Sequence, residues 1–135
     1  MPLYRKAEAN GLKLKAHVGE FGSADDILRT VETLHLSEVH HGIAAADSPM
    51  IMKRLADNKI RLNICPTSNV MLGRAASYEA HPIKELFHAG VPVTINTDDM
   101  LIFNQSVSEE YANLLCAGIL TMDEIEKIRL TGLGE

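Results

Sequence analysis

Hydrophobic residues in this chain switch repeatedly between two periods, and that alternation limits its fold more than any other feature. Short runs with strand character fall near residues 12–17, 38–41, 60–64 and 92–96. Between them, and after the last, apolar residues recur at helical spacing. Ile27, Leu28, Val31 and Leu34 form one such face, and Met50, Ile51, Leu55 and Ala56 another. Helix punctuation agrees. Ser23 precedes Asp25 and Asp26, which suits an N-cap followed by acids in the first turn. Pro49 and Pro82 stand where a helix accepts proline. Thr121 with Glu124 three residues on reads as a capping box. The third strand runs out through residues 65–69, and a polar loop follows through Tyr78. The order β-α-β-α-β-α-β-α-α predicts an α/β fold with a parallel sheet and right-handed crossovers, a single domain over residues 1–135.

Composition narrows the function classes. Net charge is −5, without a basic stripe, so no nucleic-acid surface is expected. No apolar run is long enough for a transmembrane helix, and the first residues lack a signal-peptide core, so no membrane partner is expected. Cys65 and Cys116 are far apart and lack metal spacing, which fits a cytoplasmic protein with reduced thiols.

The strand ends carry the chemistry. Residues 91–95 are uncharged and largely β-branched, and run into Asn96, Thr97, Asp98 and Asp99. Two carboxylates there are costly unless something uses them. The other strands end in His17 with Glu20, in His41, and in Ser68 with Asn69. In parallel α/β folds such ends converge on one mouth. His17, His41 and Asp98 are the residue types that hold zinc or a similar divalent ion, which would make a bound water acidic enough to act as a nucleophile. Glu20 suits a proton shuttle beside it. Taken singly, a strand-end histidine is more often a hydrogen-bonded residue than a ligand. His40 is expected on the opposite face from His41.

His17-Val18-Gly19-Glu20, Val39-His40-His41-Gly42, Cys65-Pro66-Thr67-Ser68-Asn69 and Asn96-Thr97-Asp98-Asp99 resemble, in order and spacing, four successive motifs of the adenosine deaminase family. The resemblance implies a zinc-dependent TIM (β/α)₈ barrel that hydrolyses the 6-amino group of an aminopurine nucleoside or base. It implies His17 and Asp98 as zinc ligands, and Glu20, His41 and Asp98 as catalytic groups, with Glu20 the proton donor to the purine ring and His41 holding and helping to activate the zinc-bound water. It implies substrate contacts from Gly19 and Asp99.

The chain departs from the family's pattern. His40 stands where glycine is usual, and Val18 where alanine is usual. The family's first strand carries a His-x-His zinc pair, and no His-x-His occurs in these 135 residues. The match is therefore to strands 5–8, the carboxyl half of the barrel. Such a half would bare its inner face and two sheet edges. Leu14, Val39, Ile64 and Ile95 are expected on that face and in need of cover, which points to a homodimer or a complementary amino-terminal half-barrel as partner. The alternative to an enzyme is a catalytically inactive remnant or subunit that binds a nucleoside or the other barrel half. A doubly wound, magnesium-binding domain of the response-regulator kind is a third reading, and it leaves the histidines unused.

Overall fold

The computed structural model describes residues 2–134. Helix α1 (Pro2–Ala9) precedes strand β1 (Lys15–Val18) and helix α2 (Ala24–Leu34). Strand β2 (Glu38–His41) leads through a 3₁₀ turn (Ile43–Asp47) into α3 (Pro49–Asp57) and then β3 (Arg61–Ile64). Helices α4 (Pro66–Met71) and α5 (Ile83–His88) precede β4 (Val93–Ile95). Helices α6 (Met100–Phe103), α7 (Val107–Cys116) and α8 (Met122–Leu133) complete the order. Ser23 and Thr121 cap α2 and α8 in reciprocal capping boxes with Asp26 and Glu124, and Ser106 does the same with Glu109 on α7. None of the helices is long and apolar enough to cross a membrane, among the described residues.

The four strands are parallel and lie side by side in chain order, β1-β2-β3-β4. Every crossover therefore steps one strand in the same direction, as in the wall of a barrel. A doubly wound sheet reverses direction at a switch point, so the response-regulator reading is excluded.

The register sorts side chains onto two faces. Ala16, Val39, Leu62 and Val93 stand in one row, and Ile64 pairs with Ile95 in the next. These belong to a core with Ile27 and Val31 of α2, Ile51 and Leu55 of α3, Ile83 and Leu86 of α5, and Leu114, Ile125 and Ile128 of α7 and α8. Leu14, Val39, Ile64 and Ile95 are thus already buried under the helices, and the expectation that they line a bare inner face is corrected.

The opposite face is polar. Lys15, Glu38 and Arg61 form one row across three strands; His17, His40, Asn63 and Thr94 form the next across four. Arg61 Nη2 pairs with Glu38 Oε1 at 2.8 Å, and Asn63 Nδ2 donates to Glu38 Oε2 at 3.1 Å. Thr94 Oγ1 donates to Asn63 Oδ1 at 2.9 Å, and Asn96 Nδ2 donates to Thr94 Oγ1 at 2.8 Å. The end of α8 reaches this face, where a Cβ on Gly132 would lie 3.9 Å from Thr94 Cγ2. Thr94 and Asn63 are buried there.

The two sheet edges differ. Tyr4 of α1 donates its hydroxyl to the Lys15 carbonyl at 3.1 Å, which blunts the β1 edge. At β4, Leu62 N donates to Pro92 O and Asn96 N to Ile64 O, so alternation turns the backbone groups of Val93 and Ile95 to the unpaired side. A groove of about 660 Å³ lies beside that strand, lined by Ile95, Val107, Tyr111, Met122, Ile125 and Leu133 among others.

Candidate active site

Two glycines let the ends of β1 and β2 close on each other. Gly19 has φ +74°, and a Cβ there would come within 2.3 Å of Ile27 Cδ1 and 3.2 Å of Gly42 Cα. Gly42 has φ +70°, and its Cβ would meet Leu62 Cδ2 at 2.7 Å. Only glycine fits both the backbone and the space. Gly42 N donates to Val18 O at 3.1 Å, and Ala44 N to Gly19 O at 3.0 Å, so the crossing is hydrogen-bonded as well as packed.

His41 itself adopts a positive φ of 63°, which costs a non-glycine residue on the order of 1 kcal/mol or more. The reversal breaks strand alternation. His17 and His40 are register partners on one face, and their rings stack with centroids 4.6 Å apart. The His41 ring lies 5.3 Å from that of His17. His40 and His41 therefore both touch His17, where alternation alone predicted that they would part.

His41 is the buried centre, with 2% of its side chain exposed. Its Nδ1 lies 3.4 Å from Glu20 Oε1, and its Nε2 lies 4.0 Å from Asp98 Oδ2. Ser68 Oγ donates to Asp98 Oδ2 at 2.9 Å. Asn69 Nδ2 lies 3.2 Å from Glu20 Oε1 and 3.4 Å from His41 Nδ1. The orientation of this amide is set from behind. Ile83 N donates to His81 Nδ1 at 3.1 Å, which leaves the proton on Nε2, and Nε2 reaches Asn69 Oδ1 at 3.3 Å. Asn69 must then present its NH₂ to Glu20 and His41. His41 Nδ1 lies 3.4 Å from both the Asn69 amide and Glu20 Oε1; a proton on Nδ1 donates to Glu20 and leaves Nε2, on the Asp98 side, free to accept one.

These contacts tune the groups. Burial, then the Asp98 charge, raises the Glu20 carboxyl above its ordinary range, against the lowering effect of Asn69. Burial lowers His41 more than Asp98 raises it, so the imidazole favours its neutral form. His81, deeply buried, is lowered to about 4. The site thus pairs a carboxyl inclined to hold a proton with an imidazole held in its neutral form, one ring nitrogen free of a proton, the division of labour that acid–base chemistry near neutral pH needs.

Of the residues expected from the sequence, Glu20, His41 and Asp98 meet directly, and His17 joins through its ring contact with His41. Asp99 is turned partly away: its Oδ1 caps α6, accepting from Leu101 N and Ile102 N at 2.8 and 3.0 Å. Two residues were missed. Cys65 is buried and joins His41 and Asp98 in a group whose ligand atoms lie within 4.8 Å of one another. His81 carried no sequence signal, because its partner is twelve residues away on another element. Two imidazoles, a carboxylate and a thiol at one set of strand ends suit a zinc-type cation by donor chemistry.

The chain as a whole resembles known proteins. The family model described as adenosine deaminase matches residues 1–133. A Treponema pallidum protein provisionally described as an adenosine/adenine deaminase is 44% identical over 119 residues, which cover 88% of this chain and 40% of that protein. The crystal structure of an Arthrobacter aurescens adenine deaminase superposes with a TM-score of 0.91 at 29% identity, covering 96% of this chain and 40% of that one. A Burkholderia ambifaria amidohydrolase structure with bound Zn superposes with a TM-score of 0.88 at 28% identity, covering 98% of this chain and 38% of that one. The chain thus spans about 40% of the length of the proteins it matches.

Proposed function

Given that this chain belongs to the adenosine deaminase family, we propose that it is the carboxyl half of an aminopurine deaminase barrel and contributes most of its reacting groups. The reaction adds water at the carbon bearing the exocyclic amine; a C–O bond forms, the C–N bond breaks, and ammonia leaves. The meeting of Glu20, His41 and Asp98 through Ser68 and Asn69 is the observation that carries this reading.

His17 and Asp98 would hold zinc, with the remaining ligands supplied by a His-x-His pair from outside these 135 residues. The metal, when bound, supplies Lewis acidity that makes a water nucleophilic near neutral pH. The chain's own groups do the rest. Glu20, raised by burial, gives its proton to the purine ring nitrogen as the carbon is attacked. Neutral His41 takes a proton from the attacking water, and Asn69 holds its ring in place. Asp98 lies beside His41 Nε2 and steadies the charge that develops there. The Gly19 carbonyl is occupied by Ala44, which leaves its N–H for the base. Asp99 keeps one carboxylate oxygen for the purine while the other caps α6. The amino-terminal half-barrel would pair with the open edge of β4 and fill the groove beside it.

The test is to combine this chain with an amino-terminal half that carries His-x-His and measure ammonia release from adenosine and from adenine. Glu20→Gln should bind metal normally and lose about 10²–10⁴ in rate, the usual worth of a positioned acid. Full activity in that variant would remove Glu20 from its role. A second reading, a non-catalytic subunit that binds a nucleoside, is favoured by the absence of His-x-His from the sequence. It requires nucleoside binding by calorimetry and no ammonia release in the combined system.

A further inference from the structure

We propose that His40 is a positioning residue: its ring, stacked on that of His17, holds the His17 imidazole in place at the strand-end mouth. This role rests on the reading of His17 as a metal ligand and adds what keeps that ligand ordered.

His17 needs holding. It occupies an exposed position of β1, and among the described residues its side chain makes no hydrogen bond. A histidine that ligates a metal ordinarily donates its second ring N–H to a partner that fixes the ring's orientation. Here the fixing contacts are rings. His40 stacks on His17 with centroids 4.6 Å apart and planes 29° from parallel. His41 meets the same ring at 5.3 Å and 50°. Both come from β2, and both are themselves supported. His41 is buried, with Asn69 Nδ2 at 3.4 Å from its Nδ1. His40 is half-buried and stands in register between His17 and Asn63. Asn63 is buried and bonded on two sides, donating to Glu38 and accepting from Thr94.

An exposed strand side chain without a neighbour samples more than one χ1 rotamer, and ordering it on binding costs affinity. An aromatic stack at this separation offsets that cost before any ligand arrives. His40 stands where glycine is usual in the family's pattern, and glycine would leave this flank of His17 bare. The face of the His40 ring does the holding, so its nitrogens are not required. A phenyl ring at the position should serve as well, which separates positioning from metal ligation by His40.

The experiment compares wild type, His40→Ala and His40→Phe in two measurements. The first is ¹³C relaxation at His17 Cδ2 in the metal-free chain alone. The His17 ring should be rigid in wild type and in His40→Phe and mobile in His40→Ala, with the β1 backbone equally ordered in all three. The second is Zn²⁺ affinity, by chelator competition, after each chain is combined with an amino-terminal half that carries His-x-His. His40→Ala should weaken Zn²⁺ binding about two- to tenfold, the worth of an aromatic contact, and His40→Phe should stay within about twofold of wild type. A mobile His17 ring in the wild type, or one equally rigid in His40→Ala, would overturn the proposal, while tight Zn²⁺ binding by the combined halves would leave the metal reading standing. A loss in His40→Phe as large as that in His40→Ala would also overturn it, because the nitrogens and not the ring face would then matter. The wild-type and His40→Phe results decide this even if His40→Ala fails to fold. No Zn²⁺ uptake by the combined wild-type halves would overturn the metal reading itself and, with it, the role of His40.

Discussion

His81 touches neither Glu20 nor His41, yet it decides how Asn69 meets both. Its Nδ1 is spent on Ile83 N, so its Nε2 proton fixes the Asn69 amide. That role requires the neutral ring, and burial keeps its pKa near 4. An unfolded chain protonates the same histidine near the ordinary imidazole value of 6.5. The contribution to stability is therefore full above pH 6.5 and is lost as pH falls toward 4. Half-buried His40 and buried His41 act in the same direction, whereas Glu20 and Glu110, raised by burial, act in the opposite one. Comparison with His81→Gln isolates the single group: between pH 7 and 4.5 the wild type should lose roughly 2–3 kcal/mol more than the variant. Urea unfolding at the two pH values measures this, and parallel losses would show that His81 is not held neutral. Gly19 offers a purely steric counterpart. Gly19→Ala adds a Cβ at 2.3 Å from Ile27 Cδ1 on a φ of +74°, and should cost about 2–4 kcal/mol in the same assay. Four strand-end motifs were legible because each keeps its residues within a few positions. Cys65 and His81 were not, since their roles arise only when β2, β3 and the segment before α5 are brought together.

At the scale of elements, α4 links the scaffold to the site. It spans six residues, and its first four are buried. Glu110 of α7 is also buried, and it accepts from Thr67 N at 3.0 Å and Thr67 Oγ1 at 2.9 Å. A carboxylate thus sits at the N-terminus of α4, where the helix dipole favours it. The next two residues of α4, Ser68 and Asn69, hold Asp98 and Glu20. Glu110→Ala should destabilise the protein by about 2–3 kcal/mol through lost charged hydrogen bonds. It should also speed amide exchange at Leu72, whose N–H bonds back to Ser68 O. Unchanged exchange there would mean that α4 is held by other contacts. The sequence reading took residues 65–69 as the end of the third strand, with a polar loop after them through Tyr78, and so missed this helix, because its first four residues are all buried and show no amphipathic period. Pro66, in the first turn, was the available signal. The longer helices were read correctly because each buries one stripe and begins at a capping residue. β1 is shorter than the 12–17 run suggested, since pairing with β2 begins only at Lys15.

For the whole molecule, the polar lining changes what association must accomplish. The accessible surface is 7611 Å². A compact monomer of 14.8 kDa exposes about 7,000 Å² by size scaling, so the excess is modest. Covering an apolar inner face is not the driving force, because that face is bonded across itself from Arg61 to Asn96. What remains is the β4 edge and its groove, where Val107 and Leu133 are exposed. Self-association should therefore run through that edge. Val107→Glu with Leu133→Lys should raise the dimer dissociation constant at least about tenfold in sedimentation runs, since losing two apolar contacts is worth more than 1.4 kcal/mol. A protein monomeric at every concentration tested, or a dimer indifferent to the double change, would sink this assignment. The same bonded lining amounts to a parting line. A wall whose inner side chains bond strand to strand from Arg61 to Asn96 presents a polar face, and not a dry interior, wherever it meets its neighbour.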